Sequence, residues 1–137
     1  MPDMDTLRLP AIMENVEVFR SFVIEWMENF HSRRENIHLV ELGLEELLTN
    51  VVKYAYPLGQ GDMEVECCVV EKGMFCLSIK DWGLPFNPLL QEDPDLSEDL
   101  SHRKVGGLGI YLVRKMFDRV SYEHKDGGNV ITLCCRD

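Results

Sequence analysis

An α+β fold is predicted: a two-layer sandwich in which a mixed, mostly antiparallel sheet is covered on one face by three helices. Three observations carry this. Strand-like runs come in pairs joined by short turns, three segments show helical periodicity, and repeated βαβ units are missing, which counts against a doubly wound sheet. At 137 residues with 45% hydrophobic content, the chain is long enough for one packed core and short for two, so 1–137 is read as a single domain.

The elements follow in chain order. Residues 6–10 alternate briefly and suit a short edge strand that Pro10 ends. From Met13 to Phe30 the apolar residues Val16, Phe19, Phe22, Val23, Trp26, Met27 and Phe30 recur at three- and four-residue steps, as in an amphipathic helix. A second helix is expected over about 36–56, where Pro57 and Gly59 stop it. Strands at 63–70 and 74–80 flank a turn containing Gly73. The stretch 87–105 is polar, acidic and broken by Pro88 and Pro94; structureless loops longer than roughly 15 residues are uncommon in compact domains, so it is read as a lid. A third helix follows Gly109 to about Phe117. Strands at 120–124 and 129–135 close the chain around 125–128, a strong hairpin turn.

The formal net charge of -10 argues against a surface for nucleic acid or anionic membrane, because such surfaces need clustered Lys and Arg. No apolar run approaches the roughly 20 residues that span a bilayer, and the first residues are acidic, so a cytoplasmic protein is expected. The five cysteines fall in apolar strand-like stretches without a C-x-x-C pair. They read as buried thiols in a reducing compartment, although the adjacent pairs Cys67, Cys68 and Cys134, Cys135 could meet across neighbouring strands.

Three segments carry chemistry and together read as an ATP site. On the second helix, at about 100° per residue, Glu46, Asn50 and Lys53 share a narrow arc, while Val40, Leu44, Leu47, Val51 and Ala55 cluster opposite. An amide oxygen can ligate Mg²⁺, a carboxylate one turn earlier can take a proton from an attacking hydroxyl, and an ammonium can screen phosphate charge. Asp81 ends an apolar strand, where a carboxylate can accept a hydrogen bond from the exocyclic amine of adenine. Gly83 beside it would let a backbone approach a flat ring. The third segment, Gly106, Gly107, Leu108 and Gly109, lacks both the G-x-G-x-x-G spacing and a following Gly-Lys-Ser/Thr. Near Arg103 and Lys104, it reads as another kind of phosphate device, opening a helix whose N-terminus faces the anion.

With these residues in view, the chain resembles the ATPase superfamily of Hsp90-type chaperones, type II topoisomerases, histidine kinases and MutL, which shares the Bergerat fold. The stretch from Glu46 to Asn50 looks like its N box, Asp81 with Gly83 like its G1 box, and Gly107 with Gly109 like its G2 box. The compact size and the sequences at 81–86 and 106–113 look most like the anti-sigma-factor serine kinases of bacterial partner switching. That resemblance implies ATP and Mg²⁺, a STAS-domain anti-anti-sigma substrate phosphorylated on serine, a sigma factor as a second partner, and a homodimer.

Carried over by position, the resemblance implies Glu46 as general base and Asn50 as Mg²⁺ ligand. Lys53 and Tyr54 would contact phosphate and nucleotide, Asp81 would read adenine, and Gly83 and Phe86 would shape its pocket. Gly106, Gly107, Leu108 and Gly109 would hold phosphates, Arg103 would reach the γ-phosphate, and Thr132 stands where the family often has a hydroxyl near that Asp. The competing expectation is a nucleotide-gated binding module without turnover. A detached histidine kinase domain is disfavoured, because the four histidines lack a phosphoacceptor context.

Overall fold

The computed structural model describes residues 4–71, 73–90 and 108–136. Five strands, β1 (Met4–Pro10), β2 (Asp62–Glu71), β3 (Met74–Asp81), β4 (Arg119–Lys125) and β5 (Gly128–Arg136), form one sheet in the order β1-β2-β3-β5-β4. All four pairings are antiparallel. Among the described strands the sheet is therefore wholly antiparallel rather than mixed, because each strand returns beside a neighbour that runs the other way. Helices α1 (Met13–Asn29), α2 (Arg34–Tyr54) and α3 (Leu108–Met116) complete the fold.

The core sits between helices and sheet because each element supplies one apolar face. Phe19, Val23 and Met27 of α1, Val40, Leu44 and Leu48 of α2, and Ile110 and Val113 of α3 are fully buried. They meet Met63, Val65 and Cys67 of β2, Phe75, Leu77 and Ile79 of β3, and Ile131 and Leu133 of β5, the alternate residues a pleated strand presents to one side. The other sheet face is polar and charged along Glu64, Glu66, Ser78, Lys80, Glu123 and Lys125. It also carries a small apolar cluster of Met74, Cys76 and Cys134, with Cys68 packed against it.

Turn chemistry fixes the register of the last hairpin. Asp126 and Gly127 have φ of 54° and 77°, the left-handed pair that a two-residue turn needs to match strand twist. Helices α2 and α3 approach closely because Gly43 lacks a side chain: a Cβ there would lie 2.6 Å from Cγ2 of Val113.

The cysteine expectation is corrected. Cys76 and Cys134 are joined by a disulfide, with Cα atoms 4.1 Å apart, while Cys67, Cys68 and Cys135 take no part in that bond. Residues 76 and 134 lie directly opposite each other in the β3–β5 register, so their side chains emerge side by side on one face. That juxtaposition depends on a pairing between segments far apart in the chain.

Candidate functional site

Asp81 ends β3 on the face that Phe75, Leu77 and Ile79 also occupy, so the pleat carries its carboxylate into the helix-covered side, where it is buried. Directly opposite in register stands Asn129, the second residue of β5. Asn129 Nδ2 donates to Asp81 Oδ1 at 2.9 Å and to the Leu84 carbonyl at 2.8 Å. Its Oδ1 accepts the Phe86 N–H at 3.1 Å and the Tyr122 hydroxyl. One buried amide thus fixes the strand end, the turn that follows and the neighbouring strand. The Gly83 N–H also donates to Asp81 Oδ1, at 2.9 Å.

The turn is also tied to the end of α2. The Leu84 N–H donates to the Ala55 carbonyl at 3.0 Å. Tyr56 accepts the Trp82 N–H at 2.9 Å and donates to the Asp62 carbonyl at 2.5 Å. Burial pushes the Tyr56 phenol up, reinforced by the nearby Asp81 and Asp62, while the Trp82 N–H and Arg8 pull it down. Gly83 is required by this packing. A Cβ there would fall 2.1 Å from the Ala55 carbonyl oxygen, so the close approach its missing side chain allows in this structure is to the helix end.

Asp81, Asn129 and Asn50 line one recess with apolar walls from Leu47, Val51, Ile79 and Ile131 and with Leu84 and the exposed Phe86 alongside. The recess is narrow, with a cavity volume of about 30 Å³. Asn50 reaches it from α2, one turn beyond Glu46, and its Nδ2 is buried without a hydrogen-bond partner among the described residues. An apolar slot with a carboxylate and an unsatisfied amide aimed into it suits a flat heterocycle with a polar edge, because buried polar groups require partners.

Glu46, Lys53 and Tyr54 are not among the described residues that line this recess. Glu46 is half-buried and lies against the first turn of α3: a Cβ on Gly109 would be 2.9 Å from Glu46 Cβ. Lys53 and Tyr54 are exposed at the end of α2, with the Tyr54 ring 6.2 Å from that of Phe86. Arg103, Gly106 and Gly107 lie outside the described residues, as does the side chain of Leu108 and the stretch 91–105 of the expected lid. The described part of the expected lid, residues 87–90, holds a 3₁₀ turn, Pro88–Leu90, preceded by Asn87, whose Oδ1 accepts the Leu89 N–H at 2.9 Å.

Thr132 is corrected. It pairs with Ser78, and their hydroxyls are 3.2 Å apart on the sheet face opposite Asp81. The residues of β5 that share the Asp81 face are Asn129, Ile131 and Leu133. Strand parity makes Asn129 the neighbour of Asp81, and the sequence reading missed it.

A family model described as a histidine kinase-like ATPase domain matches residues 9–135. The chain is 27% identical over 136 residues to a serine-protein kinase RsbW of Listeria monocytogenes serovar 1/2a, with 96% of this chain and 86% of that protein covered. It is 24% identical over 129 residues to a serine-protein kinase RsbW of Bacillus thuringiensis, covering 91% and 80%. Among solved structures, the RsbU and RsbW domains of a Mycobacterium tuberculosis protein superpose with a TM-score of 0.67 at 18% identity. That match covers 99% of this chain and 32% of the longer one, and it bears on the fold alone.

Proposed function

The chain belongs to the histidine kinase-like ATPase domain family, and on that premise we propose that it is an ATP-dependent serine protein kinase acting on a STAS-domain anti-anti-sigma protein, with a sigma factor as a further partner. The observation that carries the reading is the convergence of Asn50, from a helix, and Asp81, from a strand end, on one recess. The names of the RsbW relatives support the reaction class.

Each residue then has a task. Both hydrogen bonds to the Asp81 side chain arrive at Oδ1, which leaves Oδ2 as the acceptor for the adenine amine. Ile79, Ile131 and Leu84 contact the ring, and Phe86 and Tyr54 flank its exposed side. Asn50 would hold Mg²⁺ through its Oδ1, while its buried Nδ2, which has no hydrogen-bond partner among the described residues, would donate to a phosphate oxygen. Among the described residues no cluster of three His, Cys, Asp or Glu could hold a metal, so the ion would share its coordination with phosphate oxygens and water, as Mg²⁺ commonly does. When bound, the ion neutralises phosphate charge. Glu46 holds the serine proton as general base, and Lys53 offers a positive charge at the exposed end of the helix. Arg103, Gly106, Gly107, Leu108 and Gly109 are assigned to the phosphates by their position before and within the first turn of α3.

Titrating the chain with ATP and Mg²⁺ in a calorimeter tests the pocket, and phosphoserine formation on a STAS protein tests the reaction. Glu46→Gln keeps shape and hydrogen bonding while removing basicity. ATP binding should survive in that variant while transfer falls by roughly 10²-fold or more. Unchanged transfer removes Glu46 from the base role, and binding without any phosphoserine in the unmodified chain leaves a nucleotide-gated module instead.

A further inference from the structure

Three of the five cysteines form one row across the open face of the sheet. Cys68 on β2 pairs with Cys76 on β3, and Cys76 pairs with Cys134 on β5. Cys67 and Cys135, each one residue away, turn to the opposite face and belong to the main core. The Cα separation of 4.1 Å between Cys76 and Cys134 marks a pair that exchanges no backbone hydrogen bonds. A residue in an antiparallel strand directs its N–H and C=O to the same neighbour. Cys76 therefore exchanges them with Cys68, which sets that Cα pair at about 5.5 Å, within the span a disulfide bridges. Both neighbours of Cys76 stand in register with it, but the Cys68 pair has its Cβ atoms at the wide end of roughly 4.5–5.5 Å, so a Cys68–Cys76 link is the more strained of the two and gives way to Cys76–Cys134.

Access to solvent differs along the row. Cys76 and Cys134 are each only 4% exposed, packed with Met74, whereas Cys68 is half-buried and lies against that cluster. An external reagent reaches the row at Cys68.

We propose that Cys68 is the entry port of a three-cysteine thiol–disulfide relay, through which a small-molecule disulfide oxidises the buried Cys76–Cys134 pair. In the first exchange the Cys68 thiolate attacks the small disulfide, forming a mixed disulfide at Cys68 and expelling one small thiolate. The Cys76 thiolate then attacks Cys68 Sγ, forming Cys68–Cys76 and expelling the second small thiolate. Finally the Cys134 thiolate attacks Cys76 Sγ, forming Cys76–Cys134 and returning Cys68 as a thiolate. Each exchange forms one S–S bond and breaks one. Overall, two protein thiols lose two protons and two electrons, and the small disulfide becomes two thiols. Reduction by a small thiol follows the same steps backwards.

The test uses the full chain, reduced, freed of reductant and treated with glutathione disulfide, then acid-quenched and mapped by peptide mass spectrometry. The unmodified chain should end with Cys76–Cys134 linked and Cys68 free. Cys76→Ser should stall with glutathione on Cys68, and Cys134→Ser should accumulate a Cys68–Cys76 link. Cys68→Ser, or Cys68→Ala if the serine variant does not fold, should form Cys76–Cys134 roughly tenfold more slowly or slower still. Oxidation of the Cys68 variants at the unmodified rate, or absence of the Cys68–Cys76 link in Cys134→Ser, overturns the relay.

Discussion

At the scale of single residues, the recess depends on a buried amide. Asn129 gives both N–H groups away, to Asp81 and to Leu84, and receives two donors on its oxygen. Replacing it with aspartate keeps the acceptor and turns the donor end into a second carboxylate facing Asp81. Like charges in contact raise the pKa of one member and leave the Leu84 carbonyl unpartnered. Asn129→Asp should therefore lower stability by about 2–3 kcal/mol at neutral pH, read from denaturant unfolding, with part of the loss recovered at acidic pH. Normal stability in this variant would mean that the amide is not the anchor. This residue also marks what the sequence could reveal. Asn50 and Asp81 could be picked out because their types suit the chemistry and their spacing could be placed on an element, and both line one recess. Asn129 could not, because its role follows from standing opposite Asp81, and the choice between Asn129 and Thr132 rests on strand parity and register that no local pattern encodes.

At the scale of elements, local rules carried far. The apolar arc of α2, the Asp126–Gly127 turn and the edge position of β1 each follow from a few adjacent residues, and the structure has all three. Less legible was how elements abut. Gly43 passes as a weak helix former in the sequence, yet it is the point where α2 admits Val113. Gly83 looked like a residue that admits a ligand, yet its missing side chain admits the carbonyl end of α2. A methyl group on Gly83 would collide with backbone, which cannot rotate aside, so the 82–86 turn must lift. Gly83→Ala should cost about 2 kcal/mol or more, a fall in melting temperature of roughly 8 °C for a domain of this size. Gly59→Ala, where a Cβ meets nothing within 4 Å, is the matched control and should leave the melting temperature close to unchanged. An equal fall in both variants would show that the approach of Gly83 to the Ala55 carbonyl does not set the cost, because the effect of Gly→Ala on the unfolded chain is stabilising.

At the scale of the whole molecule, Tyr56 links parts that no single element joins. It follows α2, its hydroxyl binds the backbone at the start of β2 and just after β3, and its ring fills the space over Gly61, where a Cβ would come within 2.2 Å of it. Helical layer, strand ends and recess turn are thereby held in one arrangement. The charged groups acting on the phenol are Asp81 and Asp62, which oppose its ionisation, and Arg8, which favours it. Because burial and the two carboxylates raise the folded-state pKa above the ordinary value of 10.0, the neutral phenol is the form the fold prefers. Its stabilisation is fully present below pH 10 and is lost as pH rises through the higher folded value. Tyr56→Phe removes both hydrogen bonds and the titration together. At pH 7 the variant should be less stable by about 1–2 kcal/mol, the deficit of a buried N–H and carbonyl left unpaired. Above pH 10 the two curves should converge, because only the unmodified chain then loses a favourable protonation state. Urea unfolding of both proteins across that range isolates Tyr56 from the other tyrosines and lysines, whose titration is common to both. A gap that stays constant from pH 7 upward through the alkaline transition would show that the hydroxyl does not couple the layers in the way its contacts imply.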